Sequence, residues 1–141
     1  MGRSLEILIL DDEPIVGNRL QPALQRDGHR VEIYVDPKKA VSRLEEKSFD
    51  IVVTDIRMED LDGIQVLEMV TAKSPGTKVI MITGYATLEL ARESLTKGAF
   101  EFIAKPFKLG EIRGTILKAA QALEKERSTA QPVAAGVGAG A

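Results

Sequence analysis

Short apolar runs alternate along the chain with longer stretches in which apolar residues recur every three or four positions. Ile7-Leu8-Ile9-Leu10, Ile51-Val52-Val53 and Val79-Ile80-Met81-Ile82 are unbroken and rich in β-branched residues, a pattern that suits strands covered on both faces. Val31-Glu32-Ile33-Tyr34-Val35 alternates instead, which suits an edge strand, and Glu101-Phe102-Ile103-Ala104 is short and opens on a charge, which places it at the other edge.

Between these runs the period changes to that of helices. Residues 14–27 carry Ile15, Val16, Leu20, Ala23 and Leu24, with Gly28 as a stop. Pro22 lies inside this stretch, where a missing N–H implies a bend near Asn18. Asp36-Pro37 opens a helix over 37–47 with Ala40, Val41 and Leu44 inward. Residues 63–73 align Ile64, Leu67 and Val70, and Ser74-Pro75-Gly76 ends them. Thr87 is placed to cap a helix over 88–97, with Ala91 and Leu95 inward and Gly98 as its stop. The last helix runs from Leu109 to Arg127 on Ile112, Ile116, Ala119 and Leu123. Five strand–helix units with right-handed crossovers predict an α/β fold, a doubly wound five-stranded parallel sheet of order 2-1-3-4-5 in a three-layer sandwich. From Ser128 to Ala141 the chain is uncharged and mostly Ala and Gly. This divides it into a domain over 1–127 and a flexible tail or severed linker over 128–141.

Composition narrows the function more than the fold. With no cysteine, thiolate zinc sites, iron–sulfur ligation, disulfides and a catalytic thiol are excluded, and a single histidine, His29, leaves no multi-histidine metal site. A net charge of −2 with scattered Lys and Arg lacks the basic footprint of a nucleic-acid binder. No apolar run approaches the ~20 residues that span a bilayer. Met1-Gly2 lacks the Ser or Thr at position 6 that myristoylation requires, and no signal peptide is visible, so a cytoplasmic location is expected.

In such a sheet, ligands bind beyond the carboxyl ends of the strands near the switch point. Strand one ends in Asp11-Asp12-Glu13, strand three in Asp55, strand four in Thr83 and strand five in Lys105-Pro106. Clustered carboxylates without His or Cys form a hard-oxygen site suited to Mg²⁺. A carboxylate fixed beside such a metal can attack a phosphoryl group. Asp55, ending a central strand, is the nucleophile candidate. Asp11 and Asp12 would hold the metal, and Thr83 and Lys105 would meet the phosphoryl oxygens. Each residue also has an ordinary explanation. Asp11 or Asp12 could cap the helix at Pro14, Asp55 and Thr83 could serve turns, and Lys105 could be an exposed turn lysine. The joint pattern argues for the site, because inner strand ends supply complementary groups to one rim.

Asp11-Asp12, the stretch Ile51-Val52-Val53-Thr54-Asp55-Ile56-Arg57-Met58, Thr83-Gly84-Tyr85-Ala86 and Lys105-Pro106-Phe107 resemble the receiver domain of two-component response regulators, over residues 5–123. The resemblance implies a flavodoxin-like fold in which Asp55 accepts a phosphoryl group from a sensor histidine kinase or phosphotransfer protein. Asp12, Asp55 and the backbone carbonyl of Arg57 would ligate Mg²⁺, with Asp11 outside them. Thr83, Lys105 and an inward-turning Phe102, where Tyr is commoner, would form the switch. It further implies a cis Lys105–Pro106 bond, control of phosphoryl lifetime from Arg57 and Tyr85, and a phosphorylation-dependent homodimer. The dimer face would comprise the fourth helix, fifth strand and fifth helix, with Leu88 and Leu90 exposed on it. Such a domain is a phosphoacceptor with self-phosphorylation and autodephosphorylation activity rather than a conventional enzyme. The fourth helix and Lys105-Pro106-Phe107 are similar to transcription regulators of the ATPase-activator class. Met58-Glu59-Asp60 departs from the family, where Pro often follows the Met. Two other readings remain: a Mg²⁺-dependent small-molecule phosphatase or phosphotransferase acting through Asp55, and an adaptor of the same fold that is never phosphorylated.

Overall fold

The structure, a computed structural model, describes residues 4–130. The last helix, expected to end at Arg127, continues through Ala130 and so takes in the first three residues of the expected tail, whose remainder, 131–141, lies outside the described residues. Ten elements alternate: β1 (Glu6–Leu10), α1 (Pro14–Arg26), β2 (Arg30–Tyr34), α2 (Pro37–Glu46), β3 (Ile51–Asp55), α3 (Gly63–Lys73), β4 (Lys78–Thr83), α4 (Leu88–Thr96), β5 (Glu101–Ala104) and α5 (Leu109–Ala130). The strands form one parallel sheet in the order β2-β1-β3-β4-β5. The doubly wound topology expected from the sequence is therefore the one observed.

The unbroken apolar runs follow from this topology, because alternate residues of each inner strand enter different cores. Ile7, Ile9, Ile51, Val53, Ile80 and Ile82 pack with Leu20 and Leu24 of α1 and Ile112 and Ile116 of α5. Leu8, Leu10, Val52, Val79 and Met81 pack on the other face with Leu44 of α2 and Leu67 and Val70 of α3. Fully burying each such side chain stabilises the fold by about 1.5–3 kcal/mol.

Local chemistry sets the boundaries. Asp36 caps α2 by accepting from Lys38 N, and Thr87 caps α4 by accepting from Leu90 N. Gly28 and Gly98 adopt φ of 96° and 106°, the left-handed conformation that ends α1 and α4. α1 is one uninterrupted helix across Pro22.

Two residues of the helical apolar patterns face solvent, and one of them, Leu95, was expected inward. Ile15 at the start of α1 is 65% exposed, since the α1 core stripe begins at Val16 and continues through Leu20, Ala23 and Leu24. In α4, Leu95 is 49% exposed and Leu88, seven residues earlier on the same face, is 68% exposed. The sequence offers two overlapping stripes there. The helix turns Leu90, half-buried against the second core, and the fully buried Ser94 inward. Leu90 is thus a packing residue rather than the exposed one expected. Ser94 Oγ has no hydrogen-bond partner.

Candidate functional site

The C-terminal ends of β1, β3 and β5 bring Asp11, Asp12, Asp55 and Lys105 together. Carboxylate oxygens of Asp11, Asp12 and Asp55 all lie within 4.8 Å of one another, with Asp11 and Asp55 buried and Asp12 exposed. Neither Asp11 nor Asp12 caps α1, whose N-cap is Glu13 with no side-chain cap bond. Asp11 Oδ1 accepts instead from the Glu13 N–H at 2.8 Å. Asp55 Oδ1 accepts from the Ile56 N–H at 2.8 Å, which orients the carboxylate and leaves Oδ2 facing Lys105.

Lys105 Nζ stands 2.7 Å from Asp11 Oδ2, 2.9 Å from Glu13 Oε1 and 3.4 Å from Asp55 Oδ2. The Asp11 contact is the shortest of the three and joins two largely buried side chains. The Lys105–Pro106 peptide is cis, as expected.

Electrostatics at this rim are unbalanced. Burial, followed by the negative charge of Asp11, raises the Asp55 pKa to about 6 against the opposing pull of Lys105. Burial likewise pushes Asp11 above its ordinary value. Burial works against the Lys105 ammonium, but hydrogen bonds to Asp11 and Glu13 and the charge of Asp55 outweigh it, and its pKa rises. The hydrogen bond from Lys105 lowers that of Glu13. A divalent cation would relieve the mutual repulsion of the carboxylates. The all-oxygen donor set of three carboxylates gathered within 4.8 Å fits a hard cation. The acidic cluster is therefore compatible with a metal site.

Asp12, Glu13, Asp55, Arg57, Gly84, Tyr85 and Lys105 line an open cleft of about 480 Å³. The Arg57 guanidinium lies over the Tyr85 ring, 4.9 Å from its centroid. Thr83 and Phe102 are not part of this lining. Thr83 is fully buried, with Oγ1 accepting from the Tyr85 N–H at 3.0 Å. Phe102 is half-buried against the second core. Glu13 was the residue that sequence reasoning left without a role. Its place directly after Asp11-Asp12 was the available signal, but its contact with Lys105 joins positions 92 apart.

A sequence model described as the response regulator receiver domain matches residues 7–117. The transcriptional regulatory protein ZraR of Klebsiella oxytoca is 32% identical over 132 residues, covering 94% of this chain and 29% of that protein. The chain thus spans less than a third of that relative. Among solved structures, a CheY-like response regulator receiver domain protein from Methanospirillum hungatei JF-1 superposes with a TM-score of 0.83 at 32% identity, over 87% of this chain and 98% of that one. The beryllofluoride-activated NtrC4 receiver domain dimer gives a TM-score of 0.79 at 30% identity, over 84% and 98% of the two chains.

Proposed function

The chain belongs to the response regulator receiver domain family of two-component systems, and from that premise we propose that Asp55 is its phosphoacceptor, charged by a sensor histidine kinase or phosphotransfer protein in the presence of Mg²⁺. The observation that carries this is the orientation of Asp55. One carboxylate oxygen is held by the Ile56 N–H, and the other faces the Lys105 ammonium at the floor of an open cleft.

Asp12, Asp55 and the Arg57 carbonyl would hold the Mg²⁺, with Asp11 behind them. When bound, the ion neutralises charge on the transferring phosphoryl group. The free oxygen of Asp55 attacks phosphorus as the P–N bond of the donor phosphohistidine breaks, and the imidazole leaves with the electron pair. At neutral pH a group with a pKa of about 6 is mostly ionised and able to attack. Lys105 releases its hold on Asp55 and pairs with a phosphoryl oxygen. The Thr83 hydroxyl leaves the Tyr85 N–H to bond another, and Phe102 turns inward against the core it already touches. The same chemistry with a small-molecule donor is self-phosphorylation, and water attacking the acyl phosphate reverses it.

Residues 1–127 form the receiver in this proposal, with the Ala/Gly-rich 128–141 assigned as its tail or linker. Relatives described as transcriptional regulatory proteins support a transcription regulator, for which we infer a cytoplasmic location. Among the described residues no helix is long and apolar enough to cross a membrane. A homodimer through α4, β5 and α5 is supported by the exposed Leu88 and Leu95.

The test is transfer from a radiolabelled phosphohistidine domain. One label per chain, with no continuing release of phosphate from p-nitrophenyl phosphate, is the expected result. Multiple turnovers of the small ester would favour a phosphatase instead.

A further inference from the structure

The first turn of α3 rests directly on the backbone of Asp55. The Gly63 N–H donates to the Ile56 carbonyl at 2.7 Å. A capping box fixes that turn: Asp62 Oδ1 accepts from the Ile64 N–H at 2.7 Å, and Gln65 Oε1 accepts from the Asp62 N–H at 3.0 Å. A Cβ at position 63 would overlap the Asp55 carbonyl oxygen and stand 2.7 Å from Ile56 Cα and 3.0 Å from the Asp55 carbonyl carbon. Gly28 and Gly98 have positive φ, but Gly63 does not, so glycine is needed at 63 for space rather than for backbone conformation.

We propose that Gly63 is a positioning residue for phosphoryl transfer, the missing side chain letting α3 clamp the Asp55–Ile56 peptide that aims the phosphoacceptor. This rests on Asp55 being that acceptor. The clamped peptide carries the N–H that holds Asp55 Oδ1. The same N–H also donates to the Ile82 carbonyl at 3.1 Å, so the peptide is pinned between α3 and β4. A side chain at 63 must push this peptide away or lift α3. Either change turns the Ile56 N–H away from the carboxylate and shifts Arg57, whose carbonyl is one residue further on. Displacements of about 1 Å at a reacting centre lower rates by ~100-fold.

The experiment compares Gly63→Ala with Gly28→Ala, which strains a left-handed position with open space around it and lies away from the cleft. Mg²⁺ affinity by calorimetry and the rate of phosphorylation by acetyl phosphate are measured per folded molecule, with folding followed by circular dichroism. Gly63→Ala should bind Mg²⁺ and react about tenfold or more less well than wild type. Gly28→Ala should lose stability and leave both readouts unchanged. A folded Gly63→Ala with wild-type affinity and rate overturns the proposal. Should Gly63→Ala not fold, Asp62→Ala and Asp36→Ala decide, because they remove equivalent N-caps from α3 and α2. Weakening confined to Asp62→Ala supports the clamp, and equal behaviour of the two overturns it. A wild-type chain that takes no phosphoryl group on Asp55 removes the underlying reading, and the proposal with it.

Discussion

Arg57 stacks on Tyr85 at 4.9 Å, joining the loop after β3 to the loop after β4 beside the cleft that holds Asp55. Both residues line the same cleft as Asp55.

Removing either partner of this stack is therefore expected to shorten the life of a phosphoryl group on Asp55. Tyr85→Ala should accelerate its loss several-fold, as should Arg57→Ala. The double substitution should be less than the sum of the two, because an exposed cation–π pair of about 0.5–1 kcal/mol is lost only once. Decay of the phosphorylated protein followed by intact mass gives the rates. An unchanged rate in Tyr85→Ala contradicts a role for the stack.

Lys105 neutralises carboxylates at rest and, in the proposed reaction, a phosphoryl oxygen. Lys105→Met should then move two quantities in opposite directions. Mg²⁺ should bind several-fold more tightly, because the competing cation is gone from 2.7 Å beside Asp11. Phosphorylation by acetyl phosphate at saturating Mg²⁺ should slow by about 10²–10³. Calorimetry and a single-turnover time course separate the two, and a joint decrease would point to simple collapse of the site.

His29 gives the fold a pH dependence away from the cleft. Its Nδ1 accepts from the Leu5 N–H at 3.2 Å, and burial lowers its pKa below the ordinary 6.5, against the attraction of Asp27 and Asp50. The folded state thus binds the proton less readily than the unfolded chain. The stabilisation is complete above about pH 6.5, falls as pH drops through that value, and levels off below the folded pKa. Urea denaturation of wild type and His29→Gln across this range should show the difference between them shrinking on acidification. A pH-independent difference would show that His29 does not titrate with folding.

Leu88 and Leu95 present one apolar face of α4 to solvent. If that face closes the homodimer, beryllofluoride with Mg²⁺ should raise the sedimentation coefficient of the wild-type protein toward a dimer. It should leave the Leu88→Ser, Leu95→Ser double variant monomeric. Equal dimerisation of both proteins would move the interface elsewhere.

Much of this architecture was legible because strand residues declare themselves in both cores at once: Ile7 and Leu8 face opposite layers, so the run cannot alternate. The residue types at the strand ends located the acidic cluster for the same topological reason. What escaped was whatever depends on a choice between near-equal packings or on long-range approach. Leu88, Ala91 and Leu95 make as good a stripe as Leu90, Ala91 and Ser94, and only the tertiary fit selects the second. The Glu13–Lys105 pair and the seating of Gly63 on Asp55 join residues that no local pattern connects.

The most direct measurement is the intact mass of the protein after acetyl phosphate and Mg²⁺, beside Asp55→Asn. A phosphoacceptor role for Asp55 predicts a hydroxylamine-labile gain of one phosphoryl group in wild type and none in the variant. The same gain in Asp55→Asn, or none in a wild-type protein that binds Mg²⁺ and meets a phosphorylated histidine donor, would contradict it.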